Sequence, residues 1–231
     1  MYSNIKTIAF DADDTLWINE TYFREAEAEF CELLKDYGDK EEIDTKLFNT
    51  EIQNLELYGY GIKGFSLSMM ECALEITNNQ VPHNIMERII QIGKDMLNKP
   101  VILLENVEQV LKTLHEKGMR LVLATKGDLL DQERKLEKSG LDKYFHHIEV
   151  MSDKKEKDYT KLIKHLDIEP EEFLMIGNSL RSDVLPVLKL GAKAIYVPFH
   201  TTWQHEVVHD VEDENFEELE GILDLFNVLK V

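Results

Sequence analysis

The chain has 231 residues, 43% of them hydrophobic, which suffices for one large domain or two modest ones with a real core. Its 26 Lys and Arg stand against 45 Asp and Glu, a formal charge of −19. So acidic a surface repels nucleic acid and anionic membrane, and an anionic ligand needs a locally positive site. Two cysteines, Cys31 and Cys72, sit among apolar residues and make neither a disulfide framework nor a metal cluster. Residues 1–6 carry no apolar signal region and no apolar run is long enough to span a bilayer, so a cytoplasmic protein is expected.

The first predicted element is a strand over residues 5–10, which stops on Asp11-Ala12-Asp13-Asp14-Thr15. Unpaired buried charge is costly, so acids crowded at a strand's carboxyl end point to a cation. Open α/β sheets bind ligands in the crevice outside such ends. A strand-end turn is enough to aim Asp11 and Asp13 at one point. Taken alone, the stretch also fits an acidic turn after an edge strand.

Helical spacing follows for about eighty residues. Phe23, Ala26, Phe30, Leu33 and Tyr37 predict one helix, with Gly38 as its stop, and Ile43, Leu47, Ile52 and Leu55 predict a second. Residues 58–65 hold three glycines among aromatics and read as a loop carrying Tyr60, Lys63 and Phe65. Met69, Met70, Ala73 and Leu74 resume the helical spacing. A fourth segment opens at Pro82 with Ile85, Met86, Ile89, Ile90 and Met96 on one side. No strand interrupts this block, so residues 18–98 are predicted to form an inserted helical subdomain, and residues 1–17 and 99–231 the main domain.

From residue 101 helices and strands alternate. Val107, Val110, Leu111 and Leu114 mark a helix ended by Gly118; residues 119–124 form a strand that runs into Thr125-Lys126-Gly127-Asp128. After a polar helix stopped near Gly140, residues 146–151 are a short strand candidate, and Lys154 and Lys155 lead into a helix bearing Tyr159, Leu162, Ile163 and Leu166. Residues 173–176 form a strand ending in Gly177-Asn178-Ser179-Leu180-Arg181-Ser182-Asp183, and residues 192–197 form another, closed by Pro198. The acidic tail, 209–231, keeps Phe216, Leu219, Ile222, Leu223 and Phe226 at helical spacing. The alternation predicts an α/β fold: a Rossmann-like parallel sheet with helices on both faces.

In such a sheet the strand ends gather at one edge. That edge then holds Asp11, Asp13, Thr125, Lys154, Asn178 and Asp183: acids, a hydroxyl, a cation and further oxygen donors, the set that Mg²⁺ beside a phosphate needs.

Asp11-Ala12-Asp13-Asp14-Thr15, Thr125, Lys154 and Gly177-Asn178-Ser179 with Asp183 resemble the four ordered motifs of the haloacid dehalogenase-like (HAD) hydrolase superfamily. The helical insertion after the first motif is similar to that family's C1-type cap. The resemblance implies that Asp11 is a nucleophile forming an aspartyl-phosphate and that Asp13 is the general acid and then the base for water. It implies that Thr125 bonds a phosphoryl oxygen and that Lys154 neutralises charge. It also implies that Mg²⁺ is held by Asp11, the Asp13 carbonyl and the fourth motif. Two departures stand out. The fourth motif commonly begins Gly-Asp, and here an amide that supplies no charge, Asn178, takes the second place; Asp183 then ligates directly or holds a metal-bound water. The motif lysine is often followed by Pro-Asp, which is absent; Lys154 is chosen by its spacing to Tyr159, with Lys155 the alternative.

Among other residues, Asp14 reads as a turn residue, Thr15 as a local hydrogen-bonding group, Trp17 as hinge packing or a substrate cover, and Arg181 as a surface residue. Lys126 and Lys63 are substrate-binding candidates: Lys126 follows Thr125, and Lys63 is the cation of the glycine-rich loop. His200, Trp203 and His205 suggest a rim loop without zinc chemistry. The expectation is a Mg²⁺-dependent phosphatase for a small phosphorylated metabolite, its oligomeric state left open. The rivals are a 2-haloacid dehalogenase, which needs no acid at 13, a phosphomutase or phosphotransferase sharing the intermediate, and a non-catalytic binding protein.

Overall fold

The computed structural model describes residues 2–208 and 211–230; Met1, Val231 and the start of the acidic tail at His209 and Asp210 lie outside the described residues. In chain order the elements are β1 (Thr7–Phe10), α1 (Glu20–Leu33), α2 (Lys40–Tyr58), α3 (Ile62–Ile76), α4 (His83–Asn98) and α5 (Val107–Glu116). There follow β2 (Arg120–Lys126), α6 (Leu129–Ser139), β3 (His147–Met151), α7 (Glu156–His165) and β4 (Phe173–Gly177). Last come α8 (Leu185–Leu188), β5 (Lys193–Tyr196), β6 (Phe216–Glu218) and α9 (Leu225–Leu229). Two compact units result: Met1–Glu20, Val101–Lys126 and Gln132–Val231 in one, and Thr21–Pro100 with Gly127–Asp131 in the other.

The first unit is built on a parallel sheet in the order β3-β2-β1-β4-β5-β6. Side chains alternate across a strand, so each strand feeds two cores. Ile8, Phe10, Leu121, Leu123, Leu174 and Ile176 face one core with Val107, Val110 and Leu111 of α5. Ala9, Val122, Ala124, Phe173 and Met175 face the other with Tyr159, Leu162 and Ile163 of α7. Covered on both sides, the central strands carry unbroken apolar runs, Ile8–Phe10, Leu121–Ala124 and Phe173–Ile176, as strands of parallel sheets do. Truncating one such side chain, Leu123→Ala for example, costs roughly 2–5 kcal/mol. Trp17 is fully buried in the first of these cores, a packing residue there.

The tail departs from expectation. Phe216 opens β6, paired with Ala194 of β5, and the predicted helical stripe breaks there; Leu219 and Ile222 reach the core while Leu223 is exposed. Apolar residues three apart read as a helix, but β5 had an open edge and the backbone paired with it.

The second unit packs α1 to α4 about Phe30, Leu34, Ile43, Leu47, Met69, Ile89 and Ile92. The loop predicted over residues 58–65 is shorter than expected. Gly59 and Gly61 take positive φ, 71° and 108°, but α3 begins at Ile62 and already contains Lys63 and Phe65. Gly64 is a helix residue whose absent Cβ would lie 2.8 Å from the Gly59 carbonyl oxygen, so it serves close approach of two segments. Phe65 is buried edge-to-face on Phe23, 5.2 Å between ring centres. In α4, Ile92 takes the buried position and Ile90 is exposed. Among the described residues no helix is long and apolar enough to cross a membrane.

Candidate active site

β1 lies between β2 and β4, with Phe10 level with Leu123 and Ile176. Asp11, the next residue, leaves the sheet between two neighbours, its N–H bonded to the Ile176 carbonyl at 2.9 Å. Its carboxylate is 9% exposed and meets the Lys154 ammonium; the same ammonium donates to Asp183 Oδ1 at 2.6 Å. Lys154 and Asp183 are each 1% exposed, so one cation serves two carboxylates out of water. Burial works against the Lys154 charge, but the flanking Asp11 and Asp183 outweigh it and hold its pKa above the ordinary lysine value. Burial pushes the Asp183 carboxyl up, with Lys154 opposing and Asp11 adding. Lys155 instead pairs with Asp153 on the surface, 67% exposed, so the structure brings Lys154 and not Lys155 to Asp11.

Asp183 sits directly over Gly177. A Cβ there would lie 2.2 Å from Asp183 Oδ2, so only glycine fits at the end of β4. Asp183 Oδ2 also accepts the Ser179 N–H at 3.0 Å, and Tyr159 donates to the Ser182 carbonyl at 3.0 Å. These bonds fix the turn that follows β4.

Asn178 lies beside Asp11. Its amide oxygen lies 3.2 Å from Thr15 Oγ1, within reach of that hydroxyl as donor. Thr15 Oγ1 in turn donates to Asp11 Oδ2 at 3.2 Å. Among the described residues no group of three or more His, Cys, Asp or Glu side chains is placed to hold a metal. The donors that converge here are a carboxylate, a main-chain carbonyl and an amide, an all-oxygen set of the kind that hard cations such as Mg²⁺ take. The residues therefore fit such an ion.

The Asp13 carboxylate is engaged elsewhere. It accepts from Lys135 Nζ at 2.5 and 2.8 Å, from Gln132 Nε2 at 2.8 Å and from Trp17 Nε1 at 2.6 Å. Lys135 and Gln132 sit three apart on α6 and so share one of its faces. Sequence reasoning passed over both; two polar residues at helical spacing just after the Thr125 strand were the available signal. Asp14 is a turn residue as expected, at φ 61°, and its carboxylate caps the start of α1 by accepting the N–H groups of Asn19 and Glu20. Burial pushes its carboxyl up to about 8.

Thr125 is buried near the end of β2, paired in register with Val150. The Lys126 ammonium donates to Ser182 Oγ at 2.8 Å and pairs with Glu206. Glu206 also accepts from Ser182 Oγ, at 2.7 Å, and from Ser179 Oγ. Burial works against its charge, yet Lys126 and the two hydroxyls pull its carboxyl down to about 2. Nothing in the local pattern marked Glu206, which adjoins His205 in the segment read for its histidines. Arg181 is a surface residue, donating to the His205 carbonyl at 2.7 Å. Lys63 belongs to the helical unit, where it pairs with Asp128 at 2.9 Å.

A parallel α/β sheet with a lysine-paired carboxylate just past the end of an inner strand is the arrangement that the sequence resemblance implies for a hydrolase. The chain belongs to the haloacid dehalogenase-like hydrolase family, which it matches over residues 5–191. It is 27% identical to the mouse (Mus musculus) N-acylneuraminate-9-phosphatase over 203 residues, 83% of this chain and 82% of that protein. It is 25% identical to the glyceraldehyde 3-phosphate phosphatase of Pyrococcus furiosus, over 84% of this chain and 81% of that one. The crystal structure of a haloacid dehalogenase-like family hydrolase from Xanthomonas campestris superposes with a TM-score of 0.88 at 36% identity, covering 98% of this chain and 91% of that one.

Proposed function

We propose that the protein is a Mg²⁺-dependent, cytoplasmic phosphatase that hydrolyses a small phosphorylated metabolite through an aspartyl-phosphate on Asp11. The observation that carries this reading is the buried Lys154 ammonium bridging Asp11 and Asp183. A carboxylate attacking a phosphate dianion is repelled unless fixed positive charge screens it, and Lys154 provides such charge at the nucleophile. The relatives named as phosphatases support the same reading. Their names point to two different substrates, so the class is taken no finer than a small phosphate monoester.

In this reading an Asp11 oxygen attacks phosphorus and the ester P–O bond breaks. The electron pair stays on the leaving oxygen, which receives a proton from Asp13. Water then attacks the phosphorus of the acyl phosphate and Asp13 takes its proton. The bond to Asp11 breaks and inorganic phosphate leaves. Thr125 donates its hydroxyl to a phosphoryl oxygen, and Lys154 offsets the charge between nucleophile and phosphate. Asp13 first turns its carboxylate away from Lys135, Gln132 and Trp17. Mg²⁺ would be held by the Asp11 carboxylate, the Asp13 carbonyl, Asn178 and Asp183, and when bound it supplies further screening charge.

The test is phosphate release from a panel of small phosphate monoesters, N-acylneuraminate 9-phosphate and glyceraldehyde 3-phosphate among them, with Mg²⁺ and with EDTA. Mg²⁺-dependent release from at least one member is expected. Turnover that survives EDTA would overturn the metal requirement. Halide release from 2-haloacids with no phosphate release from the panel would overturn the phosphatase reading.

A further inference from the structure

We infer that Glu206 is a positioning residue for the reaction: from the segment after β5 it fastens the turn that carries Asn178 and Asp183 to the end of β2, and through that turn it sets Lys154 against Asp11. This rests on the phosphatase reading above and names a further residue on which its chemistry depends.

The contacts run from Glu206 to Asp11 without a break. Ser179 Oγ donates to the Glu206 carboxylate and accepts the Ser182 N–H at 3.0 Å. The Ser179 main chain holds Asp183 twice: its N–H donates to Asp183 Oδ2 at 3.0 Å, and its carbonyl accepts the Asp183 N–H at 2.9 Å. Asp183 Oδ1 accepts from Lys154, whose ammonium also meets Asp11. On its other side Glu206 pairs with the Lys126 ammonium, at the end of β2 and next to Thr125. Ser182 Oγ accepts from Lys126 at 2.8 Å and donates to Glu206 at 2.7 Å. β2 and β4 flank β1, so one carboxylate ties together the two strand ends between which Asp11 emerges. The turn it holds, Leu180–Val184, winds as a π-helix, a rare form that recurs at functional sites. The Glu206 side chain is 10% exposed, and hydrogen bonds to an ionised acceptor are about twice as strong as neutral ones. Glutamine there offers one acceptor oxygen where the carboxylate offers two, so the donors from Lys126, Ser179 and Ser182 cannot all be met.

Steady-state kinetics of wild type, Glu206→Gln, Ser179→Ala and the double variant test this, on an aryl phosphate and well below every melting temperature. Small misplacements at a reacting centre are costly, so Glu206→Gln is expected to lower kcat at least about tenfold and to change KM less than about threefold. A residue that only stabilises the fold would lower the melting temperature and leave the kcat of the folded enzyme alone. Ser179→Ala leaves every charge in place and should lower kcat in the same direction. Because Glu206 acts through Ser179, the two losses should not multiply, and the double variant should be about as slow as Glu206→Gln alone. Wild-type kcat in either single variant, or losses that multiply in the double variant, would overturn the inference. If wild type releases phosphate and Glu206→Gln does so equally fast, only this inference falls. If wild type hydrolyses no phosphate monoester, the phosphatase reading falls and this inference with it.

Discussion

Lys154 donates to Asp11 and to Asp183 Oδ1 at the same time, the latter at 2.6 Å. One ammonium thus joins the end of the central strand to the turn after β4. Lys154→Met leaves two buried carboxylates without a cation. Breaking a buried pair by removing one partner costs roughly 3–5 kcal/mol. Urea unfolding near neutral pH should show a loss of that order, and phosphate release should fall at least about a hundredfold. A variant as stable as wild type would show that the triad is solvated.

Asp11→Asn removes the nucleophile and retains its shape. The amide still meets Lys154 with its oxygen, so the fold should persist while turnover of a generic aryl phosphate vanishes. Circular dichroism and a phosphate-release assay check the two halves of this. Retained turnover would reject Asp11 as the attacking group.

Gly177→Ala tests steric necessity. The new methyl would lie 2.2 Å from Asp183 Oδ2 and 2.7 Å from its Cβ, so Asp183 must move off Lys154. Overpacking of this kind costs about 1–3 kcal/mol. The expected outcome is a lower melting temperature together with a marked loss of turnover; normal values of both would mean that the turn after β4 yields easily.

Glu206 makes stability depend on acidity. Its carboxyl, ordinarily near 4.5, is held at about 2. Because the folded value is depressed, its contribution is fully present above pH 4.5 and disappears as pH falls from 4.5 towards 2. A depression of that size corresponds to roughly 3 kcal/mol at most. Glu206→Gln should therefore unfold at lower urea than wild type at pH 7, and the difference should shrink steadily below pH 4.5. A gap that does not change with pH would locate the effect in packing and not in charge.

The backbone of this site could be read in the sequence because it follows from periodicity. Ile8, Ala9 and Phe10 are apolar in succession, which marks a strand buried on both faces, and acids after such a strand need partners. The partners themselves were less legible. Lys154 followed from spacing, but Lys135 and Gln132 meet Asp13 only because α6 folds back over the end of β2. Glu206 depends on a long excursion after β5 with no periodic signature. Phe216 misled because a residue three before Leu219 suits a helix as well as a strand; the open edge of β5 decided it. Lys63 was read from the glycines around it, and Gly64 turned out to mark the close approach of α3 to the Tyr58-Gly59 backbone at the end of α2.

The position of β1 bears on how the chain comes off the ribosome. Its two neighbours, β2 and β4, begin at Arg120 and Phe173, more than a hundred residues after it. A nascent polypeptide emerging amino end first therefore carries this buried, largely apolar strand unpaired for much of synthesis. Contacts this distant in sequence slow folding and expose edges to aggregation. Truncation before β4 should yield an inert, aggregation-prone product, because Asp11 then has no Asn178 and no Asp183 beside it.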